Sequence, residues 1–263
     1  MFNPHYNLEV SPVRLRAGSL LVMSPVILVC ALGMGLVAGP AAAQSVDDIV
    51  AKNLAARGGV EKLRGVETVK STGKMVGPGL AGGRIEVPLT TWVKRPNKVR
   101  RETQFPDRTL TVGFDGTTVW ALDSTVGKPQ QMSGPRADAT RDQAGLDPLF
   151  LDYKEKGHRI ELAGTETMDG EKVHHLRVTK KNGQVAHHYI SIETGLETRI
   201  VENFEQGGLK VEVRQDLSNY QTVDGMQVPF TIKQYNNGQL VGEFSLAKVE
   251  FNAPMADELF SLK

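Results

Sequence analysis

The sequence predicts a mainly β protein: one antiparallel domain, either a sandwich or a barrel, with a short helix before the first strand. From residue 68 onward, apolar and polar residues alternate with a period of two, which is typical of half-buried strands. In the second half of the chain, Asp-Gly, Asn-Gly and similar turn signals recur at intervals of about a dozen residues. Connections this short force neighbouring strands to run antiparallel.

The N-terminal residues have the pattern of an export signal. Two arginines precede an apolar stretch at residues 20–37, and small residues ending at Ala43 follow it. We expect residues 1–43 to be a signal peptide, cleaved near Ala43 or Gln44, with residues 44–263 forming one periplasmic domain. An uncleaved membrane anchor is the alternative, because the apolar stretch approaches the ~18 residues that span a bilayer.

Cys30 is the only cysteine and lies inside that apolar stretch. Val29 precedes it, and Ala31 begins an apolar continuation, which differs from the small residue and polar chain that flank the lipidated cysteine of bacterial lipoproteins. We therefore expect the mature protein to lack thiols, disulfides and a lipid anchor.

The mature region begins with helical spacing and then changes to strand spacing. Ser45 is a candidate N-cap with Asp48 three residues later, and glycines at 58 and 59 end the helix. The period of two then takes over, interrupted by a Gly-rich loop at residues 77–83. The first five strand candidates are Thr68–Val76, Arg84–Lys94, Lys98–Phe105, Arg108–Phe114 and Thr118–Asp123.

Residues 137–156 interrupt the strand pattern. Their large apolar side chains crowd one side of a predicted helix or helix-turn-helix, which Pro148 interrupts and Gly157 ends. Because this is the one long helical insert among the strands, we expect it to cover part of the sheet. The crowded residues include Leu146, Leu149, Phe150, Leu151 and Tyr153.

The composition and motifs argue against most kinds of chemistry. The 31 basic residues nearly balance the 30 acidic ones, and aromatic residues make up only 6% of the chain, so no nucleic-acid surface is expected. The sequence contains no G-x-S-x-G nucleophile elbow, no phosphate-binding loop and no dinucleotide fingerprint. We predict no catalytic residues, no metal and no cofactor.

Histidines form the one cluster with the chemistry of a metal site. His175 and His188 lie on either side of an Asn182-Gly183 turn signal. A two-residue turn would make them diagonal neighbours on one face, roughly 7 Å apart. A third ligand is not evident, so we interpret them as solvated or half-buried strand residues.

Four segments carry a resemblance to a known family. The segment Trp92-Val93-Lys94-Arg95-Pro96-Asn97 and the strand-turn-strand from Phe114 to Trp120 resemble the LolA-like periplasmic carriers of outer-membrane lipoproteins. The Pro-apolar run from Asp147 to Leu151 is similar to the inserted helix of that family, and Leu259-Phe260 fits its closing segment.

The resemblance implies an incomplete, strongly curved antiparallel β-barrel with an N-terminal helix and an inserted helical lid over an apolar hollow. The hollow would hold the acyl chains of lipoproteins or another envelope lipid, received from an inner-membrane donor complex and passed to an outer-membrane acceptor. It also implies that Arg95 is a lid latch, and Pro96 favours an extended backbone at that arginine.

We assign the hollow from the resemblance together with strand alternation. The alternation by itself is equally compatible with an ordinary sandwich core. The predicted lid contacts are Leu146, Leu149, Phe150 and Leu151, and the predicted lining residues are Ile85, Val87, Leu89, Trp92, Val99, Leu110, Val112, Phe114 and Trp120.

The chain departs from the family pattern just after Asn97. Val99 stands where the carriers place an aromatic residue, and Arg100-Arg101 follow where carriers can be apolar. Regular alternation directs one of the two arginines into the hollow, which indicates a wetter hollow or an anionic ligand. A lipid sensor that does not transport its ligand is the alternative function, and an envelope hydrolase ranks third.

Overall fold

Two short helices begin the part of the chain that the computed structural model describes, residues 44–78, 83–206 and 209–262. The helix α1 spans Val46–Ala56 and α2 spans Val60–Arg64. The predicted capping box is confirmed: the backbone N–H of Asp48 donates to the Ser45 hydroxyl at 3.1 Å, and that of Ser45 donates to the Asp48 carboxylate at 3.2 Å. The predicted signal peptide, residues 1–43, lies outside the described residues.

Thirteen strands in the described ranges form a single sheet in which all neighbouring strands are antiparallel. The five strands predicted first are confirmed to within two residues at each boundary. In chain order, β1 to β13 are Thr68–Pro78, Arg84–Lys94, Lys98–Gln104, Thr109–Phe114, Val119–Asp123, Gln130–Gln131, Arg159–Met168, Glu171–Thr179, Val185–Ser191, Glu197–Gln206, Leu209–Val223, Met226–Asn236 and Gln239–Phe251.

The sheet consists of two meanders joined in the middle. Strands β1 to β6 follow one another across one half and β7 to β13 across the other, and β1 pairs with β13. The edge strands are β6 and β7, so the sheet does not close. The predicted fold class, mainly antiparallel β in the form of an incomplete barrel, is confirmed. No helix of the described residues is long and apolar enough to cross a membrane.

The insert between the two edge strands is less helical than predicted. The helix α3 spans only Pro135–Asp142, and a series of turns occupies residues 149–157. Pro148 disfavours helical backbone at the residue before it, and Asp152 has a left-handed φ of 54°, which a continuous helix does not allow. Because the insert leads from β6 to β7, it connects the two open edges of the sheet.

Two apolar clusters hold the helices and the insert against the sheet. The α3 cluster joins α3 to strands β3 to β5 through Val99, Phe114, Val119, Ala137 and Ala144. The larger α1 cluster joins α1, α2 and the turns of the insert to the sheet. Its buried members are Ile49, Val50, Leu54, Leu63, Val66, Phe150, Leu151, Ile160, Leu176, Val178, Ile190 and Met226.

Candidate functional site

One face of the sheet, which we call the inner face, is covered by the helices and the insert. Residues that lie directly opposite each other in antiparallel strands point to the same side of a sheet. A row of paired apolar residues crosses β2 to β5 in this way, and α3 packs against it through Ala137. The residues of this row are Val93, Val99, Phe114 and Val119.

A cavity of about 220 Å³ lies on the inner face, between α2, the insert and strands β1, β12 and β13. Small-molecule sites typically measure about 300–1,000 Å³, so a long apolar ligand requires part of this wall to move. The polar residues of the lining are Arg57, Ser71 and Gln227. The apolar lining includes Leu63, Val66, Val69, Leu146, Pro148 and Phe251.

Arg95 connects two walls of this cavity. Its Nε donates to the carbonyl of Val66 at 2.6 Å, and its Nη2 donates to Oδ1 of Asp147 at 2.6 Å. Val66 lines the cavity, and Asp147 lies between two other lining residues, Leu146 and Pro148. The guanidinium of Arg95 therefore fastens the insert to the junction of α2 and β1.

Two further cations pair with carboxylates of the insert, Lys156 from within the insert and Arg64 from α2. Nζ of Lys156 lies 3.1 Å from Oδ2 of Asp147, and Nη2 of Arg64 lies 2.6 Å from Oδ1 of Asp152. Partial burial raises the pKa of Asp147, but the hydrogen bonds from Arg95 and Lys156 outweigh it and hold that pKa below its usual range. The carboxylate of Asp147 is therefore ionised at neutral pH, and the fastening persists there.

The predicted lid contacts all belong to the α1 cluster or pack against it. Phe150 and Leu151 are 2% and 1% exposed, and Leu146 and Leu149 are partly buried against the same cluster. The ring of Phe150 meets the buried His188 ring edge-on, with their centroids 5.2 Å apart. The turns of the insert thus seal the inner face with apolar side chains, although they are not helical.

Arg101 is the arginine that points to the inner face. It pairs with Thr91 on β2 and Val112 on β4, which lie two residues along each strand from the row that contains Val99 and therefore on the same face. Its Nε is buried and has no hydrogen-bond partner. Burial lowers the pKa of the Arg101 guanidinium, which nevertheless remains charged because arginine does not lose its proton in proteins.

Comparison with known proteins identifies the fold. No protein-family model matches the sequence, and no curated protein matches it. Among solved structures, a LolA superfamily protein from Nitrosomonas europaea superposes with a TM-score of 0.58 and 12% identity, covering 83% of this chain and 98% of the other. The chain has a LolA-like fold.

Two other solved structures share this LolA-like fold. A DUF1329 family protein from Desulfovibrio piger gives a TM-score of 0.60 at 13% identity, covering 84% of this chain and 100% of the other. A predicted outer-membrane lipoprotein-sorting protein domain from Vibrio parahaemolyticus gives 0.54 at 12% identity, covering 81% and 94%. At sequence identities this low, the superpositions establish the fold and do not identify the ligand.

Seven of the predicted lining residues occupy the inner face of the LolA-like fold. Val87 is fully buried and Leu89 and Val99 nearly so, while the others are partly or fully buried. None of the seven lines the cavity itself, which lies beyond β1 on the side of β12 and β13. The seven residues are Ile85, Val87, Leu89, Val99, Leu110, Val112 and Phe114.

Trp92 and Trp120 were wrongly placed among the lining residues. The row Trp92, Arg100, Gly113 and Trp120 pairs across β2 to β5 on the outer face, opposite the row of Val93. Period-two alternation separates each tryptophan from the apolar residue beside it. Nε1 of Trp120 donates to the carbonyl of Phe260 at 2.9 Å, which anchors the 3-10 helix Asp257–Phe260 to the outer face.

The predicted pairing of the histidines was also wrong. The hairpin loop has three residues and not the predicted two. The N–H of Lys180 donates to the carbonyl of Gln184, which leaves residues 181–183 in the loop. A one-residue shift reverses the face of every side chain on the strand. As a result His175 meets His187, with 2.8 Å between Nε2 and Nδ1, and His188 turns inward to Glu197.

His188 and Glu197 form a buried pair that sequence reasoning missed. Nδ1 of His188 lies 2.7 Å from the Glu197 carboxylate, and Arg57 approaches the same carboxylate at 3.7 Å. Burial raises the pKa of Glu197, but His188 and Arg57 together lower it by more than burial raises it. The net shift of the pKa is therefore downward. No group of three or more histidine, cysteine or acidic residues in the described ranges is arranged to hold a metal ion.

Proposed function

We propose that this chain is a soluble periplasmic carrier that encloses the acyl chains of lipoproteins, or of another envelope lipid, on the inner face of its sheet. The observation that carries the proposal is an apolar cavity with the insert as one wall, which Arg95 fastens to the junction of α2 and β1. The Vibrio parahaemolyticus neighbour is described as a lipoprotein-sorting domain, and the shared LolA-like fold supports the same ligand class here.

The energetics of acyl transfer suit such an enclosure. Each methylene that leaves a bilayer loses about 0.8 kcal/mol unless another apolar surface receives it. The cavity and the inner-face residues beside it provide that surface. The cavity of about 220 Å³ is too small for a long chain while the insert is in place, so uptake requires the insert to move.

Arg95 is the residue that we assign to control this movement. It holds the insert through Asp147 and the α2–β1 junction through Val66, and these two sides must separate to enlarge the cavity. The proposed cycle has a closed state with these hydrogen bonds formed and a loaded state with them broken. A donor complex in the inner membrane and an acceptor at the outer membrane would then supply and receive the cargo.

Native mass spectrometry of the protein purified from its own cell envelope tests ligand binding. We expect mass additions that correspond to a lipid or a lipoprotein and that disappear after delipidation. A protein that is always free of lipid, and that takes up no fluorescent acyl-chain probe after delipidation, would refute the proposal.

A transfer assay distinguishes a carrier from a lipid sensor. The protein is loaded with a fluorescent acyl-chain probe and mixed with vesicles that contain a quencher. Loss of fluorescence on mixing supports a carrier. A stable complex that never delivers the probe to vesicles would support the alternative, a sensor that reports bound lipid to a partner protein.

A further inference from the structure

Arg101 lies on the same face as the cavity and close to it. Ser71 on β1, Thr91 on β2 and Arg101 on β3 are paired in turn, so they form one row on the inner face. Ser71 lines the cavity. Neighbouring strands are about 4.8 Å apart, so the Arg101 backbone lies about 10 Å from the backbone of Ser71 in the cavity wall.

The guanidinium of Arg101 lacks the partners that other arginines of the chain have. Its Nε is buried without a hydrogen bond, and no ion pair links it to another described residue. Arg100, its neighbour on the outer face, bonds the Glu102 carboxylate at 2.6 Å and the Leu259 carbonyl at 3.0 Å. Arg57, the arginine that lines the cavity, is already paired with Glu197 at 3.7 Å.

Arg101 is only partly exposed, so its unpaired charge is incompletely solvated. A buried cation is normally paired with an anion, because burial removes the water that would otherwise solvate it. The guanidinium cannot relieve this cost by losing its proton. Its planar fork of N–H donors matches the oxygens of a phosphate or a carboxylate, which it binds through two parallel hydrogen bonds.

We propose that Arg101 binds the anionic head group of the cargo, a phosphate or a carboxylate, while the acyl chain occupies the cavity. This inference rests on the proposed function and narrows it, because the cargo becomes an anionic amphiphile. The apolar cavity receives the chain, and the row from Ser71 to Arg101 leads from the cavity to the charge.

A pair of probes with the same chain and different head groups tests the inference. Dodecyl phosphate and dodecanol are titrated into the delipidated protein, and binding is followed by displacement of a neutral fluorescent acyl probe. We expect dodecyl phosphate to bind at least tenfold tighter than dodecanol. We expect inorganic phosphate alone to displace nothing, because it lacks the chain that holds the amphiphile in the cavity.

Three variants assign this preference to Arg101. Arg101→Leu is expected to reduce the ratio to about one and to leave dodecanol binding unchanged, whereas Arg101→Lys keeps a reduced preference. Arg84→Leu is the matched control, because it removes the same charge from an exposed position on the outer face of β2. If Arg101→Leu fails to fold, the reduced preference expected of Arg101→Lys decides whether Arg101 is responsible.

The outcomes separate the two proposals. Equal affinities for the two probes in the wild-type protein would overturn the head-group inference and leave lipid binding intact. A tenfold preference that persists in Arg101→Leu would also overturn it. Displacement by inorganic phosphate alone would indicate a free-anion site, and no binding of either probe would refute the proposed function together with the inference.

Discussion

Replacing Arg95 with leucine removes the hydrogen bonds that fasten the insert and leaves most of the surrounding apolar contacts in place. The variant loses the bond to the Val66 carbonyl and the bond to the Asp147 carboxylate, each 2.6 Å long. Asp147 keeps Lys156 as a partner at 3.1 Å, so its carboxylate is not left without a cationic partner. The expected effect is a shift toward the open position of the insert.

The size of the shift follows from these two bonds. A hydrogen bond to a charged group contributes about 1.5–3 kcal/mol when it is well buried. The side chains of Arg95 and Asp147 are 25% and 32% exposed, so solvent screening reduces their pair toward the lower values of surface ion pairs. We therefore expect a total of about 2 kcal/mol, which corresponds to about a 30-fold increase in the open population.

Hydrogen–deuterium exchange and probe uptake measure this shift. Amides of residues 146–157 are expected to exchange about 30-fold faster in Arg95→Leu, and the fluorescent acyl probe is expected to enter faster by a similar factor. Arg199→Leu is the control, because it breaks a partly buried ion pair with Asp216 on β10 and β11, away from the insert. It should lower the overall stability without a selective effect on the insert.

Unchanged exchange of residues 146–157 in Arg95→Leu, with unchanged uptake and release of the probe, would refute the role of Arg95 as a latch. Exchange that rises equally throughout the chain in both variants would show that Arg95 supports the fold in general.

Three other predictions concern the cavity, the lid and the buried acidic residue. Ser71→Phe, which fills the cavity, is expected to reduce probe binding at least tenfold, while Lys70→Phe on the opposite face of β1 has little effect. Phe150→Ala is expected to lower the free energy of unfolding by about 3–5 kcal/mol in chemical denaturation, against less than about 1 kcal/mol for Phe204→Ala at a site that is 39% exposed. Glu197 has a lowered pKa in the folded state, so its contribution to stability is present above about pH 4.5 and is lost as the pH falls through the lowered value. Glu197→Gln should therefore reduce the loss of thermal stability at acid pH, measured as melting temperature over a pH series.

Each of these has a clear contrary result. Equal binding by Ser71→Phe and Lys70→Phe would place the ligand elsewhere. A small loss of stability in Phe150→Ala would mean that the insert contributes little to the folded state. An acid decline of the same steepness in Glu197→Gln would assign that decline to other carboxylates.

The strands were predictable because their signals are local. Alternation and the Asp115-Gly116 turn located β4 and β5, and Ser45 with Asp48 located the start of α1. The same alternation indicated that one of two adjacent arginines faces inward, and the register of β3 decides in favour of Arg101. These inferences needed only the neighbouring residues along the chain.

Other features depend on contacts between distant segments and were beyond local reasoning. The cavity lies where β1 pairs with β13. This pairing joins residues about 180 positions apart, and no turn signal in the sequence indicates it. The faces of Trp92 and Trp120 were misassigned because a recognised motif was followed without its alternation. One extra residue in the hairpin before Gln184 was enough to exchange the faces of His187 and His188.

The central claim is that acyl chains bind in the cavity on the inner face, and photocrosslinking tests it most directly. A dodecyl phosphate with a diazirine at the end of its chain is bound, irradiated and mapped by peptide mass spectrometry. We predict adducts on cavity residues such as Val69, Leu146 and Val249 that excess unlabelled dodecyl phosphate abolishes. Adducts concentrated on the outer face around Trp120, or adducts that the competitor does not reduce, would contradict the account.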